Sequence, residues 1–223
     1  MKKKLPKNVL ASPVAGCLLF LFLESCQKGI QIDDPKKTIE LSQSTIKQST
    51  IAQSTIIYTD INPDVTMSSG RFAPHQYYYL DLNNDNTIDF QIESYFGAYK
   101  YSVGYGVRIY SNNVNEVVCD GSGFPLTVNA GDKINSNLNW MNTNINNGTG
   151  ILRAYSSNPV QWRGNWTTTI DHYLGLKIIQ GSNTYYGWAR LSTGISVGSS
   201  SFTIKDYAYN AVPNSPVLAG QMK

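Results

Sequence analysis

Tyr173-Leu174-Gly175-Leu176-Lys177-Ile178-Ile179, then Gly181-Ser182-Asn183, then Tyr185-Tyr186-Gly187-Trp188-Ala189-Arg190-Leu191 is the stretch that decides the fold. Two runs rich in β-branched, aromatic and leucine residues flank a short glycine-containing loop, which is a hairpin signal. Gly187 in the second run predicts a close approach of a neighbouring strand, and Trp188 beside it predicts a core position. The same texture extends outward from the hairpin. Short runs of Val, Ile, Tyr and Thr lie between Asn, Gly, Ser and Pro clusters, and the chain holds 15 tyrosines. Predicted strands cover 55–58, 77–81, 88–94, 99–111, 116–119, 150–155, 172–180, 184–191 and 202–208. No amphipathic run of helical length follows Ile56. The expectation is an all-β chain, an antiparallel β-sandwich or jelly-roll-like domain over 56–220, with enough residues for one hydrophobic core.

The residues before this domain read differently. Gln43-Ser44-Thr45-Ile46, Gln48-Ser49-Thr50-Ile51 and Gln53-Ser54-Thr55-Ile56 form a tandem repeat. One isoleucine in five fits neither strand nor helix, and so polar a segment buries too little apolar surface to offset its ordering entropy. Residues 26–55 are therefore expected to be a flexible, disordered tether. Ahead of them lies a basic start (Lys2, Lys3, Lys4, Lys7) and an apolar run from Leu18 to Leu23. These are parts of a secretory signal. The apolar window from Val9 to Leu23 is interrupted by Ser12 and Pro13 and is shorter than the ~20 residues a spanning helix needs.

Leu23-Glu24-Ser25-Cys26 resembles the lipobox of bacterial lipoproteins, although Glu24 is unusual within it. The resemblance implies a signal peptide over 1–25, acylation of the Cys26 thiol, cleavage before Cys26 and acylation of the new amino group. Val14-Ala15-Gly16-Cys17 is the competing box, but a cut there leaves Leu18–Leu23 on the mature protein. Gln27 after the modified cysteine implies the outer membrane, on its periplasmic or cell-surface face. Two or three acyl chains hold far better than one, because each buried methylene contributes about 0.8 kcal/mol.

Removing Lys2, Lys3, Lys4, Lys7 and Glu24 from 18 basic and 15 acidic residues leaves 14 of each. The pI of 8.6 thus belongs to the leader, and nothing points to nucleic acid, whose footprint is a basic patch on the folded domain. Of three cysteines, Cys17 leaves with the leader and Cys26 is acylated. Cys119 remains alone, excluding an intrachain disulfide and reading as a buried thiol. The expected assembly is a monomer.

One constellation carries chemistry. Asp81-Leu82-Asn83-Asn84-Asp85-Asn86-Thr87-Ile88-Asp89 places oxygen side chains at alternate positions, as hard cations require. Asp81, Asn83, Asp85 and Asp89, with the Thr87 carbonyl, are the candidate ligands of a structural Ca²⁺. Asn86 stands where a glycine usually makes the sharp turn, and Asn tolerates positive φ. Ile92 replaces the terminal bidentate Glu, so the loop is not a full EF-hand. It resembles the Asp-x-Asn-x-Asp loops of integrin-type β repeats and of secreted bacterial β proteins. The alternative is an Asx-rich turn without metal. Asp60-Ile61-Asn62-Pro63-Asp64 is a shorter echo of the pattern.

The ending, from Tyr186-Gly187-Trp188 through Tyr207-Ala208-Tyr209 to Pro216-Val217-Leu218-Ala219-Gly220, resembles that of a broad group of uncharacterised exported bacterial lipoproteins. That resemblance implies an extracytoplasmic all-β domain and no particular activity.

Hydrolytic machinery is not visible. His75 and His172 lack zinc spacing, and no Gly-x-Ser-x-Gly elbow exists. The expectation is no enzyme. Glu93, Glu116 and Asp171 are the carboxylates that folding would have to converge for a glycoside hydrolase-like activity. A binding role rests on Trp162-Arg163-Gly164-Asn165-Trp166, expected in a loop, where two tryptophans flanking Arg163 and Asn165 form a platform for sugar rings or a surface protein. Trp140 is a further aromatic of this kind. Exposed Trp162 and Trp166 would favour carbohydrate or partner binding; buried ones favour a structural module.

Overall fold

The computed structural model describes residues 55–144 and 149–223; the leader, Cys26 and all but the last residue of the expected tether lie outside them. The described chain is all-β and every strand pairing is antiparallel. Thirteen strands run in chain order: β1 Ile56–Gly70, β2 His75–Leu80, β3 Phe90–Tyr99, β4 Ser102–Ser111, β5 Glu116–Val118, β6 Lys133–Ile134, β7 Trp140–Met141, β8 Ile151–Ser157, β9 Val160–Arg163, β10 His172–Gln180, β11 Asn183–Ser196, β12 Ser199–Asn210 and β13 Val217–Leu218. A six-stranded sheet has the order β1-β12-β11-β10-β5-β7, a five-stranded sheet the order β2-β3-β4-β8-β9, and β13 pairs with β6.

The opening hairpin is β10–β11, in register from His172↔Leu191 to Gln180↔Asn183. Its alternation sets two cores. Leu174, Leu176, Ile178, Ala189 and Leu191 point between the sheets, where they meet Leu80, Phe90, Ile92, Val107, Ile109 and Leu152. Each leucine, isoleucine, valine or phenylalanine among them, fully buried, contributes about 1.5–3 kcal/mol. The opposite face carries Tyr186 and Trp188 and is also covered, by Val128 and Ile134 and by Val217 and Ala219 of the C-terminal end. Gly187 does what its place in the strand predicts: a Cβ there would lie 2.6 Å from the Ala208 carbonyl and 2.9 Å from Leu82.

β1 is far longer than the predicted 55–58, because Asp60-Ile61-Asn62-Pro63-Asp64 reads as a turn. The strand absorbs it in a bulge, with register passing from Asp60↔Asp206 to Val65↔Ile204. Β1 and β12 then run the length of the domain, roughly 40 Å at the usual strand rise. Ile56 pairs with Asn210 at one pole and Gly70 with Ser199 at the other. The 81–89 loop and the β10–β11 turn lie at the Ile56 pole, joined where Gln180 Nε2 donates to Asp85 Oδ2 (2.8 Å). The turns β1–β2, β3–β4, β8–β9 and β11–β12 lie at the Gly70 pole.

Candidate functional site

Followed toward the Gly70 pole, the inner face of the five-stranded sheet changes character. Ile92 on β3 lies in the core and Ser94 is buried; Phe96 is next on that face. The Oγ atoms of Ser69, Ser94 and Ser200 bond to one another at 2.8–3.0 Å, and Ser200 Oγ also donates to the Gly106 carbonyl at 2.8 Å. This polar layer ties the sheets together and separates the core from what lies beyond. There the six-stranded sheet stops at Gly70 and Ser199 while the β3–β4 hairpin runs on to Tyr99 and Ser102. The overhang opens a cleft of about 590 Å³.

One wall of the cleft is a cross-strand aromatic row. Phe96 faces Tyr105, Tyr105 faces Tyr155, and Tyr155 faces Trp162, so four adjacent strands each contribute one ring. Tyr105 and Tyr155 have centroids 5.1 Å apart and planes 32° apart; Tyr155 and Trp162 are 5.0 Å apart at 58°. Sheet twist turns each ring relative to the last, making a curved platform. Trp162 is 56% exposed. Arg153 stacks its guanidinium on the indole, 5.6 Å from the centroid. Arg71 and Val197 form the opposite rim.

The expected four-residue platform divides. Trp162 and Arg163 lie on strand β9 and not in a loop. Trp166 is 0% exposed, with the edge of its ring against His172 (5.7 Å), so it belongs to the core and the two tryptophans do not form a pair. Arg163 sits over Phe124 (5.5 Å), and Asn165 Nδ2 donates to Asp120 Oδ2 (2.9 Å); both fasten β9 to the 120–124 turn. Gly164, at φ +92°, separates the two tryptophans, and a Cβ on it would lie 2.2 Å from the Leu152 carbonyl. Phe96, Tyr105 and Tyr155 were not singled out from the sequence. Trp140 is half-buried, its indole N–H donating to the Asn135 carbonyl at 2.9 Å, and has a structural place.

The 81–89 loop is closed by its own hydrogen bonds. Asp81 accepts from the backbone N–H of Asp85 (3.1 Å) and Asn86 (2.7 Å), and Asp85 accepts from Thr87 N–H (2.8 Å). Asn84 and Asn86 take positive φ, 57° and 67°, as the turn requires. Asn83 Nδ2 donates to Asp85 (3.0 Å), the main cause holding that carboxyl below its usual range. Asp89 is buried and turned to other partners, accepting from Leu82 N–H (2.9 Å) and Asn115 Nδ2 (3.1 Å). Burial pushes its pKa up to about 6 despite those bonds. Among the described residues no three His, Cys, Asp or Glu side chains group as a metal would require. Asp64 faces Lys205 (3.7 Å) and Asp60 stays on β1, so the shorter echo does not join this loop.

The chain matches no protein-family model, no curated protein and no solved structure in the comparisons made. The site is therefore read from its own geometry. The carboxylates a glycosidase would need sit in separate ion pairs and none lines the cleft: Glu93 with Arg108, Glu116 with Lys177, Asp171 with Lys205. Glu93 is buried on the outer face of the five-stranded sheet; burial alone would raise its pKa, but bonds from Arg108, His75 and Tyr110 outweigh that and hold it low. His172 Nε2 lies 2.8 Å from Thr168 Oγ1. Burial, and then the Asp120 charge, pushes the Cys119 thiol up to about 12, which leaves it inert.

Proposed function

We propose that this chain is a non-catalytic, extracytoplasmic glycan-binding module, held to the outer membrane by acyl chains on Cys26. The observation that carries the reading is the aromatic row ending in half-exposed Trp162, set in a cleft at the pole opposite Ile56. Flat pyranose faces stack on such rings, and curved platforms suit oligosaccharides whose successive units rotate. Tyr105 and Tyr155 hydroxyls, the Trp162 indole N–H and the Arg71 guanidinium supply polar contacts at the edges. The described chain enters the domain at Ile56, whose strand partner Asn210 lies at the pole opposite the cleft. The lipobox resemblance supports the anchor at Cys26. Calcium belongs to the reading only as an accessory ion on Asp81, Asn83, Asp85 and the Thr87 carbonyl, since Asp89 is committed elsewhere and the loop closes without a cation.

The test uses the mature chain from residue 26 carrying Cys26→Ser, so that no acyl chain is present. All strand pairings and both cores lie within 56–219, so this chain retains the whole described fold. Soluble β- and α-linked hexasaccharides are titrated against tryptophan fluorescence. The expected result is binding by at least one of them, weakened about tenfold or more by Trp162→Ala, since 1.4 kcal/mol is tenfold. No binding by the panel, or equal binding by the variant, overturns the glycan. Release of reducing ends on prolonged incubation would overturn the non-catalytic half. For the anchor, mass spectrometry of protein recovered from membranes should show Cys26 as an acylated N-terminus; an unmodified Cys26 still joined to Ser25 rejects it.

A further inference from the structure

The four turns around the cleft each carry a large apolar side chain into water. Phe72 is 97% exposed on the β1–β2 turn, Tyr101 74% on β3–β4, Val160 73% at the β8–β9 turn and Val197 100% at the tip of β11–β12. Scattered exposed apolar residues are ordinary, but here they recur at one pole. Arg71 and Val197 line the same cleft, and Asn158 Nδ2 donates to the Tyr101 carbonyl (3.2 Å), which brings the β8–β9 and β3–β4 tips together. The charge pattern is one-sided. The segments Gly70–His75, Tyr99–Ser102, Ser157–Val160 and Ser196–Ser199 contain no Asp or Glu and hold Arg71 and Lys100. Lys100 Nζ lies 5.1 Å from the Tyr101 ring centroid, so base and aromatic share one tip.

We propose that this pole docks on an anionic lipid surface, with Phe72, Tyr101, Val160 and Val197 entering the interface and Arg71 and Lys100 meeting the lipid headgroups. The apolar groups stand on separate tips and not on one flat strand face, a shape that lets each enter a soft interface independently. Arginine and lysine beside them keep their charges at headgroup level while their stems stay apolar. Acid-free tips remove the repulsion an anionic surface would impose. The inference goes beyond the glycan reading and holds whether or not the cleft takes a sugar: Phe72, Lys100, Tyr101 and Val160 do not line the cleft, and only Arg71 and Val197, on its rim, are shared by the two readings.

The test is vesicle flotation with the unacylated Cys26→Ser chain and no glycan present. One set of vesicles is phosphatidylcholine alone; the other contains roughly one-third phosphatidylglycerol, an anionic headgroup. The expected result is co-flotation with the anionic vesicles, reduced by high salt and by phosphatidylcholine alone. Phe72→Ser with Val197→Ser should lower partitioning about tenfold or more, as loss of two interfacial apolar groups predicts. Arg71→Gln with Lys100→Gln should lower it about 25-fold, at about fivefold per base, and erase the preference for anionic lipid. All four positions are exposed or at turns, and unchanged thermal melting verifies folding. Wild type that stays with neither vesicle overturns the proposal, and so does partitioning unaffected by Phe72→Ser with Val197→Ser. Self-association of wild type without flotation assigns the tips to a protein partner and equally overturns it. Glycan binding that survives a failed flotation, or flotation that survives a failed glycan panel, separates the two readings.

Discussion

The two poles of the sandwich solve opposite problems. At the Ile56 pole Val114 is 59% exposed and Ile57 and Val212 41%, but most groups are polar and satisfy one another: Asp81 and Asp85 accept backbone N–H groups, Asn84 accepts from Tyr207 Oη (3.1 Å), and Gln180 reaches across from the β10–β11 turn (2.8 Å). At the Gly70 pole apolar side chains are left in water, although strand pairing there is as regular as elsewhere. A chain that needed only to fold would cover both ends. The difference teaches that intramolecular bonding completes most of the Ile56 pole, while the Gly70 pole leaves its four most exposed apolar side chains for the contacts proposed above. The serine layer of Ser69, Ser94 and Ser200 is the boundary between finished core and open cleft.

The largest expected effect separates the two tryptophans of β9 and the chain after it. Trp166 fills the core and Trp162 fills the cleft wall. Trp166→Ala should cost about 3–5 kcal/mol, the range for deleting a large buried aromatic. Trp162→Ala should cost under about 1 kcal/mol, since only its packing on Tyr155 and Arg153 is lost. Urea unfolding of the two variants side by side measures this directly. Similar losses in both would mean that the cleft wall is part of the core, and the contrast between interior and open pole would collapse.

That pair also marks what was legible in the sequence. The β10–β11 hairpin could be read because apolar alternation and a glycine-bearing turn agree, and each is a local signal. Trp162 and Trp166 could not be told apart, because the divider is the positive φ of Gly164 and its fit against Leu152, which only the fold supplies. Strand β9 is four residues between Pro159 and Gly164, and such neighbours read as loop. The second half of β1 was hidden for a related reason: Asp60, Asn62, Pro63 and Asp64 carry turn chemistry, which the sheet accommodates as a bulge. The aromatic row is less legible still. Phe96, Tyr105, Tyr155 and Trp162 come from four strands, and only register aligns them. Trp188 was legible as a core residue, but nothing local to the hairpin says that residues 128–134 and 217–219 supply the cover for it and for Tyr186.

A smaller effect probes the finished pole through Asp89. Its folded pKa, about 6, lies above the ordinary unfolded value near 3.9. Below about pH 4 both states hold the proton and the difference vanishes. As pH rises, the unfolded chain releases the proton first, so the folded state binds more protons and stability must fall. The loss is complete above about pH 6 and amounts to at most about 3 kcal/mol for two pKa units. Glu93, held low, acts with the opposite sign and lower on the scale: its stabilisation is lost as pH falls through the carboxylate range. Thermal melts between pH 4 and 7 should therefore show a downward slope that Asp89→Asn removes; an unchanged slope in the variant assigns it to another group. Calcium enters as the smallest term. An ion on Asp81, Asn83 and Asp85 would favour an ionised carboxylate nearby and flatten the same slope, because Asp81 and Asp85 are the charges that help to raise Asp89. Its stabilisation should stay near about 1 kcal/mol, a few degrees of melting temperature, since the loop is already closed. Asp81→Asn should erase the response to calcium while leaving most of the Asp89 slope. Melts that coincide in calcium and in chelator at every pH would leave hydrogen bonding alone as the device that completes this pole.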